Sequence, residues 1–323
     1  SAAQVLGVGR CAPRTWTVEQ RQHLVHHGNG LGLVGHDDVQ DPVRCLVGHG
    51  ADLLGRERAE AVAVVHEVLA LLDGPGPRSA PADAEHLRSA LPDNDREAFD
   101  VRGVVESLAD PDTVLWLRDA FAPELVTCLA RIDGLPVGVV ANQSTHLAGA
   151  LTAGASSKAA DFLDLCERWR LPVVSLVDTP GFMVGPEAER TGLVREASRM
   201  VTAGARLTVP LVGVVIRRGY GLGAQAMLGG STHRPHLTVA WPGAHLGAMG
   251  LEGAVRLSLA HELVAMPEDE REAAVAQHTA ELRKHASALN VARVFEIDDV
   301  IDPAETAQVI ASTLRAASAQ PIG

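Results

Sequence analysis

An α/β fold with a sheet covered on both faces is predicted by three features of the 323-residue sequence. Two short runs, Pro172 to Val177 and Leu211 to Ile216, are apolar without alternation, as strands buried on both faces are. Segments with helical apolar spacing lie between and beyond them. Each run ends in a turn with glycine, at Asp178-Thr-Pro-Gly181 and at Gly219 to Gly223. Strands that alternate with helices build a mostly parallel sheet.

Ala59 to Leu72 carries apolar residues at helical spacing and stops at Asp73-Gly74-Pro75-Gly76-Pro77. That stop divides the chain into a region of residues 1–77, rich in Gly and His over most of its length, and one of residues 78–323. Asp110-Pro111-Asp112 reads as a turn before a helix at 112–121. Leu125 to Ile132 and Pro136 to Ala141 read as strands of a hairpin turning at Asp133-Gly134. Ser156 to Trp169 is a helix with Ala159, Phe162, Leu163, Cys166 and Trp169 on one face, and Ser156 or Ser157 can cap it. The run at 172–177 is followed by a helix at 189–205. The run at 211–216 passes through its glycine turn into a helix at 222–229. Leu237 to Ala240 is a short strand, and helices at 249–265, 270–288 and 304–317 close the pattern.

Composition excludes several classes. Lys and Arg total 28 against 40 Asp and Glu, a net charge of −12, which argues against general nucleic-acid binding. Cys11, Cys45, Cys128 and Cys166 form no C-x-x-C pair, so zinc ribbons and redox pairs are not expected and a reduced, cytoplasmic protein is. No run approaches the ~18 apolar residues of a membrane span. Ser1 to Arg14 lacks the order of a signal peptide. The 14 histidines show no metal spacing, so no metal is expected.

The sharpest local feature is Val212 to Met227, a buried strand running into a glycine turn and a helix. N–H groups at a helix start are unpaired and carry the positive dipole end, so such a turn can hold a phosphate or a developing oxyanion. The same glycines also serve a turn that needs them only for its geometry. Gly221-x-Gly223-x-x-Ala226 matches a dinucleotide fingerprint but lacks the acidic residue after the next strand, which ends Val239-Ala-Trp-Pro242. Asp178-Thr-Pro-Gly181 has the form of a GTPase metal loop, but no P-loop accompanies it. Lys158 sits near a helix start, where the dipole disfavours it; it reads as a solvated lysine or as a contact to an anion. No plausible acid/base pair stands out.

Taken together, these runs resemble the carboxyltransferase subunits of biotin-dependent acyl-CoA carboxylases of the acetyl-/propionyl-CoA type. Ser175-Leu-Val-Asp-Thr-Pro-Gly-Phe-Met-Val-Gly185 is similar to the loop after a central strand of that family, and Arg217 to Met227 to its second glycine turn. Val137 to Asn142, Ser156 to Ala160, Val239 to Pro242, Met249 to Ala254, Leu289 to Ala292 and Glu296 to Pro303 match in order, and Asp100-Val-Arg102 fits the entrance to the family's C-terminal domain. The resemblance implies a crotonase-like (ClpP/crotonase superfamily) fold. It assigns residues 78–323 to the carboxyltransferase C-terminal domain and residues 1–77 to a partial N-terminal domain.

It further implies transfer of a carboxyl group from carboxybiotin to the α carbon of an acyl-CoA, with oxyanions held by backbone N–H groups. Those of Leu222 and Gly223 would hold the biotin oxygen, and Gly181, Phe182, Tyr220, Gly221, Ala224 and Gln225 would line the biotin and substrate site. Gln225, polar where a long hydrocarbon would prefer an apolar wall, suggests a short acyl chain. Neither lysine lies between methionines, so biotin should arrive on a carrier protein served by a biotin carboxylase. A second carboxyltransferase chain or protomer should complete the acyl-CoA site in an oligomer. Upstream, only Gly28-Asn-Gly-Leu-Gly32 through Asp41-Pro42, then the helix ending at Leu72, is similar to the tail of the family's N-terminal domain. The chain is then a piece of a longer one, a split subunit or a degenerate relative. A non-catalytic scaffold and a malonyl-thioester decarboxylase are the alternative functions.

Overall fold

The computed structural model describes residues 58–94 and 96–319, and the upstream motif at 28–42 lies outside them. The chain divides into two units between Gly74 and Pro75. In the first unit, helix α1 (Arg58–Leu72) buries Val64, Val68 and Leu71 along one stripe.

The second unit is built on one mixed sheet. Its strands are β1 (Leu115–Leu117), β2 (Leu125–Ile132), β3 (Leu135–Asn142), β4 (Val173–Thr179), β5 (Leu211–Tyr220), β6 (Leu237–Ala240), β7 (His245–Gly247) and β8 (Asp299–Val300). The order is β1-β2-β3-β4-β5-β6-β8, and β7 pairs with the far end of β5. The β1–β2 and β2–β3 pairs are antiparallel and all others parallel. The hairpin turn is left-handed at both Asp133 (φ 49°) and Gly134 (φ 78°), the geometry that fits the strand twist. The buried carboxylate of Asp110 clamps it by accepting from both N–H groups at 2.8 Å.

One face of the sheet buries Val126, Cys128, Val139, Val174, Leu176, Val212, Val214 and Trp241 in the main core, together with α2 (Val101–Leu108). The opposite face receives α3 (Ala153–Trp169), which packs on the later helix over Leu193–Arg206. Gly138 makes this approach possible, because a Cβ there would lie 2.4 Å from Cys166 Sγ and 3.0 Å from the Phe162 ring. All seven residues of β4 are buried, as its largely apolar run predicts, and these include the polar Ser175, Asp178 and Thr179.

The segment after β4 is two helices, α4 (Pro186–Arg190) and α5 (Leu193–Arg206), because Gly192 adopts φ 77° between them. Past β5 come α6 (Gly221–Met227), α7 (Leu251–Ser258), α8 (Ala260–Ala265), α9 (Glu268–Ala286), α10 (Ala288–Arg293) and α11 (Thr306–Ala319), the last buried against the main core.

Four expectations are corrected. Residues 112–121 are not a helix: Asp112 and Arg118 are left-handed, and β1 between them pairs with β2. Asp110 is spent on the hairpin instead of capping a helix. The cap of α3 is Thr152, whose Oγ1 accepts from Ala155 N at 3.1 Å, so Ser156 and Ser157 already lie inside the helix. The region 249–265 is broken into α7 and α8 at Leu259. Strand β5 runs four residues past Ile216, because β7 supplies a pairing partner for Arg218 to Tyr220.

Candidate active site at the ends of β4 and β5

The central parallel strands β4 and β5 carry their glycine turns at the same, C-terminal end of the sheet, where open α/β sheets place their ligands. The β4–β5 ladder is irregular there. Val177 pairs with Val215, but the next pair is Thr179 with Gly219. One residue of β4, Asp178, therefore stands opposite three of β5, a bulge of the kind found beside functional sites.

Beyond the bulge the two turns touch. A Cβ on Gly223 would lie 2.7 Å from the backbone of Gly181 and 3.0 Å from Phe182 N. Gly181 (φ 123°) and Gly221 (φ 59°) adopt backbone conformations that other residues resist. A third strand of backbone joins them: Leu151 N donates to Gly181 O at 3.0 Å and Met183 N to Leu151 O at 2.9 Å. The sequence reading placed Gly181, Phe182, Tyr220, Gly221, Leu222, Gly223, Ala224 and Gln225 in one site, and the fold brings their segments together.

Their exposure differs. Gly181, Tyr220, Gly223 and Ala224 are buried, Phe182 and Gly221 half-buried, and Leu222 and Gln225 exposed. No side chain caps α6. The N–H groups of its first turn have no acceptor within the helix, and with the dipole they form a neutral donor set suited to an oxyanion. Leu222 is 71% exposed. Exposure of Gln225 removes the desolvation ground for a short acyl chain, since the amide is not buried.

Sequence reasoning missed the charged support beneath the turns. The Asp178 carboxylate is fully buried and accepts from Arg217 Nη2 (2.8 Å) and Nε (3.2 Å), and from Arg218 Nε (2.8 Å), Nη2 (3.0 Å) and backbone N (3.1 Å). Burial raises this carboxyl's pKa, but the hydrogen bonds from Arg218 and Arg217 outweigh it and hold the group below the ordinary carboxylate value. Asp178 is thus fully engaged by guanidinium groups and is no metal-loop aspartate. The available signal was Arg217-Arg218 after one buried strand facing Asp178 after its neighbour.

Lys158 also departs from expectation. It is fully buried, and its Nζ donates to the carbonyls of Phe121 (2.8 Å) and Leu125 (2.7 Å). Burial pushes its pKa down to about 8. Those bonds hold the segment leading into β2 against α3, and burial leaves the amine unsolvated. Among the described residues no group of three or more His, Cys, Asp or Glu could hold a metal ion, and no helix is long and apolar enough to cross a membrane.

Comparison with known proteins points one way. The carboxyl transferase domain matches residues 50–322. The uncharacterized carboxylase YngE of Bacillus subtilis is 32% identical over 85% of this chain and 55% of its own. A single-chain, multi-domain long-chain acyl-CoA carboxylase is 44% identical, with a TM-score of 0.75, over 80% of this chain and 25% of its own. The transcarboxylase 12S hexamer solved with methylmalonyl-CoA is 33% identical, with a TM-score of 0.68, over 77% of this chain and 47% of its own. The chain spans about half the length of the curated relatives it matches.

Proposed function

This chain belongs to the carboxyl transferase domain family and has its crotonase-like fold, and from that premise we propose that it is the carboxyltransferase component of a biotin-dependent acyl-CoA carboxylase. The observation that carries the reading within the site is the uncapped first turn of α6, packed on Gly181 and open at Leu222.

Biotin fits this turn in chemical type. A ureido oxygen that becomes anionic needs neutral donors and no competing carboxylate, and the nearby Asp178 is already engaged by two arginines. Carboxybiotin would supply both the carboxyl group and, once that group has left, the base for the α proton of the acyl-CoA. The N–H groups of Leu222 and Gly223 would hold the developing oxyanion. Gly181, Phe182, Tyr220, Gly221, Ala224 and Gln225 would line the approach. Preorganised donors of this kind stabilise charge without reorganising during the reaction, which accounts for a site built from backbone instead of an acid/base pair.

Residues 78–323 would form the biotin-side C-terminal domain and residues 1–77 a partial N-terminal one. Biotin would come on a separate carrier charged by a biotin carboxylase. A second carboxyltransferase chain or protomer would complete the acyl-CoA site in a cytoplasmic oligomer; the 12S relative is a hexamer.

The substrate has two readings. A short acyl-CoA follows from the propionyl-CoA carboxylase relatives. A long one follows from the 44% identical long-chain carboxylase, and the exposed Gln225 favours neither. Competition between propionyl-CoA and a long-chain acyl-CoA, read as kcat/KM, separates them.

The oxyanion assignment is tested by Leu222→Pro, which deletes one N–H at an exposed position early in the helix, where proline is tolerated. Loss of one such donor costs ~100- to 1,000-fold in rate. A folded Leu222→Pro protein with normal carboxyl transfer would remove this turn from the reaction.

A further inference from the structure

Asp178 needs only one guanidinium to neutralise it, and Arg217, itself buried, already provides a two-point pair and donates onward to Glu97 O at 2.7 Å. A second arginine leaves the cluster with one surplus positive charge close to the sheet's C-terminal end.

Arg218 Nη2 bonds Asp178 Oδ2 and also donates to the carbonyl of Ala148 at 2.9 Å. Ala148 sits in an unusual turn. Leu147, Ala148 and Gly149 follow one another at φ 49°, 54° and 77°, and two of the three are residues that resist this region. Besides its own backbone bonds, Gly149 N to His146 O and Ala150 N to Leu147 O, the turn is tied to its surroundings by the Arg218 bond on Ala148 O, by Asn142 Nδ2 on Gly149 O at 3.2 Å, and by close packing of Gly149 on Asp178 O, which a Cβ would approach to 2.5 Å. The next residues lead to Leu151, the backbone bridge to Gly181 and Phe182. On the other side, Arg218 lies two residues before Tyr220 and the first turn of α6.

We infer that Arg218 is a positioning residue: its guanidinium fork ties the left-handed turn at 147–149 to Asp178 in the β4–β5 bulge, and so keeps segments 149–151, 179–183 and 219–223 in one fixed arrangement. The inference rests on the proposed carboxyl transfer for its catalytic consequence, but not for its structural content. The fork matters, and not the charge alone, because one guanidinium spans two acceptors on different segments, which a single ammonium on a flexible stem does poorly.

The test uses the full chain and two variants, Arg218→Gln and Arg218→Lys. Arg218 is partly exposed, with 16% of its side chain accessible, whereas Arg217 is buried. Amide hydrogen exchange is read first. Both variants should speed exchange at 149–151 and at Met183, whose N–H groups donate to backbone carbonyls, about tenfold, with the amides of β2 and β3 unchanged. In carboxyl transfer, kcat should fall about 10- to 100-fold with KM for the acyl-CoA held, as expected when reacting groups are misplaced and binding is not. Lysine should recover less than half of that loss.

Unchanged exchange at both segments, an equal rise throughout the sheet, or full recovery by lysine would overturn the inference. If Arg218→Gln does not fold, Arg218→Lys alone decides by the same exchange readout. If the unaltered protein transfers no carboxyl group, the proposed function fails, and the exchange pattern still decides the role of Arg218.

Discussion

Gly223 packs its Cα side directly on the Gly181 backbone, so closely that a Cβ at 223 would lie 2.7 Å from two atoms of Gly181. Both neighbours are main chain and neither can swing aside. Gly223→Ala should therefore push the two turns apart, costing about 1–3 kcal/mol as overpacking does. Thermal unfolding and carboxyl transfer, measured together, should both decline. An unchanged melting temperature would mean that the turns are not in contact.

The cap of α3 gives a sharper comparison. Thr152 Oγ1 accepts from Ala155 N, and the Thr152 hydroxyl donates to Glu124. Thr152→Ala should cost about 0.5–2 kcal/mol. Ser157→Ala, inside the helix, should cost less than about 0.5 kcal/mol. Denaturant titration of the two variants checks this, and the reverse order would return the cap to the serine.

Asp110 accepts from the N–H groups of both Asp133 and Gly134. Asp110→Ala leaves those two donors without their partner in a left-handed turn. A loss of about 1–3 kcal/mol is expected for each donor that water cannot reach. The same titration measures it, and a neutral outcome would show that the β2–β3 turn holds itself.

Lys158 has a folded-state pKa of about 8, below its ordinary value of 10.5. Between those limits the unfolded chain binds more protons at this site than the folded one, so the Lys158 contribution to stability rises with pH across the window and is flat outside it. The shift corresponds to roughly 3 kcal/mol. Buried Cys128 and Cys166 oppose it, because burial raises both thiols and makes stability fall as unfolded thiols ionise. The difference between the unaltered protein and Lys158→Met cancels the thiols. The stability of the unaltered protein minus that of the variant should fall as pH drops from about 10.5 to about 8 and stay flat outside that window, and a difference independent of pH between 8 and 10.5 would contradict the lowered pKa.

Strands β2, β4 and β6 and helix α3 were legible because each carries a complete local signal: a mostly apolar run, a helical stripe, or a left-handed Asp-Gly turn. Strand β1 was not, since three residues on a sheet edge make sense only beside β2, and Asp110-Pro111-Asp112 mimics a helix start. Strand β7 and the extension of β5 exist only as partners of each other. At the site, the glycines were legible because close backbone contact leaves few other residues possible. Arg217, Arg218 and Asp178 were not, because a bulge that sets one residue against three is a property of two strands in register. The burial of Lys158 was hidden for a similar reason: its acceptors are backbone carbonyls, which no residue type announces.

The central claim is transfer of a carboxyl group from biotin to an acyl-CoA through a site that includes the first turn of α6. It is tested most directly by incubating the full protein, with the partner chains that complete it, with labelled methylmalonyl-CoA and biocytin. Release of the labelled carboxyl group should depend on biocytin, and Leu222→Pro should reduce it ~100- to 1,000-fold without unfolding the protein. Release that proceeds equally without biocytin, or a folded Leu222→Pro protein of undiminished rate, would contradict it.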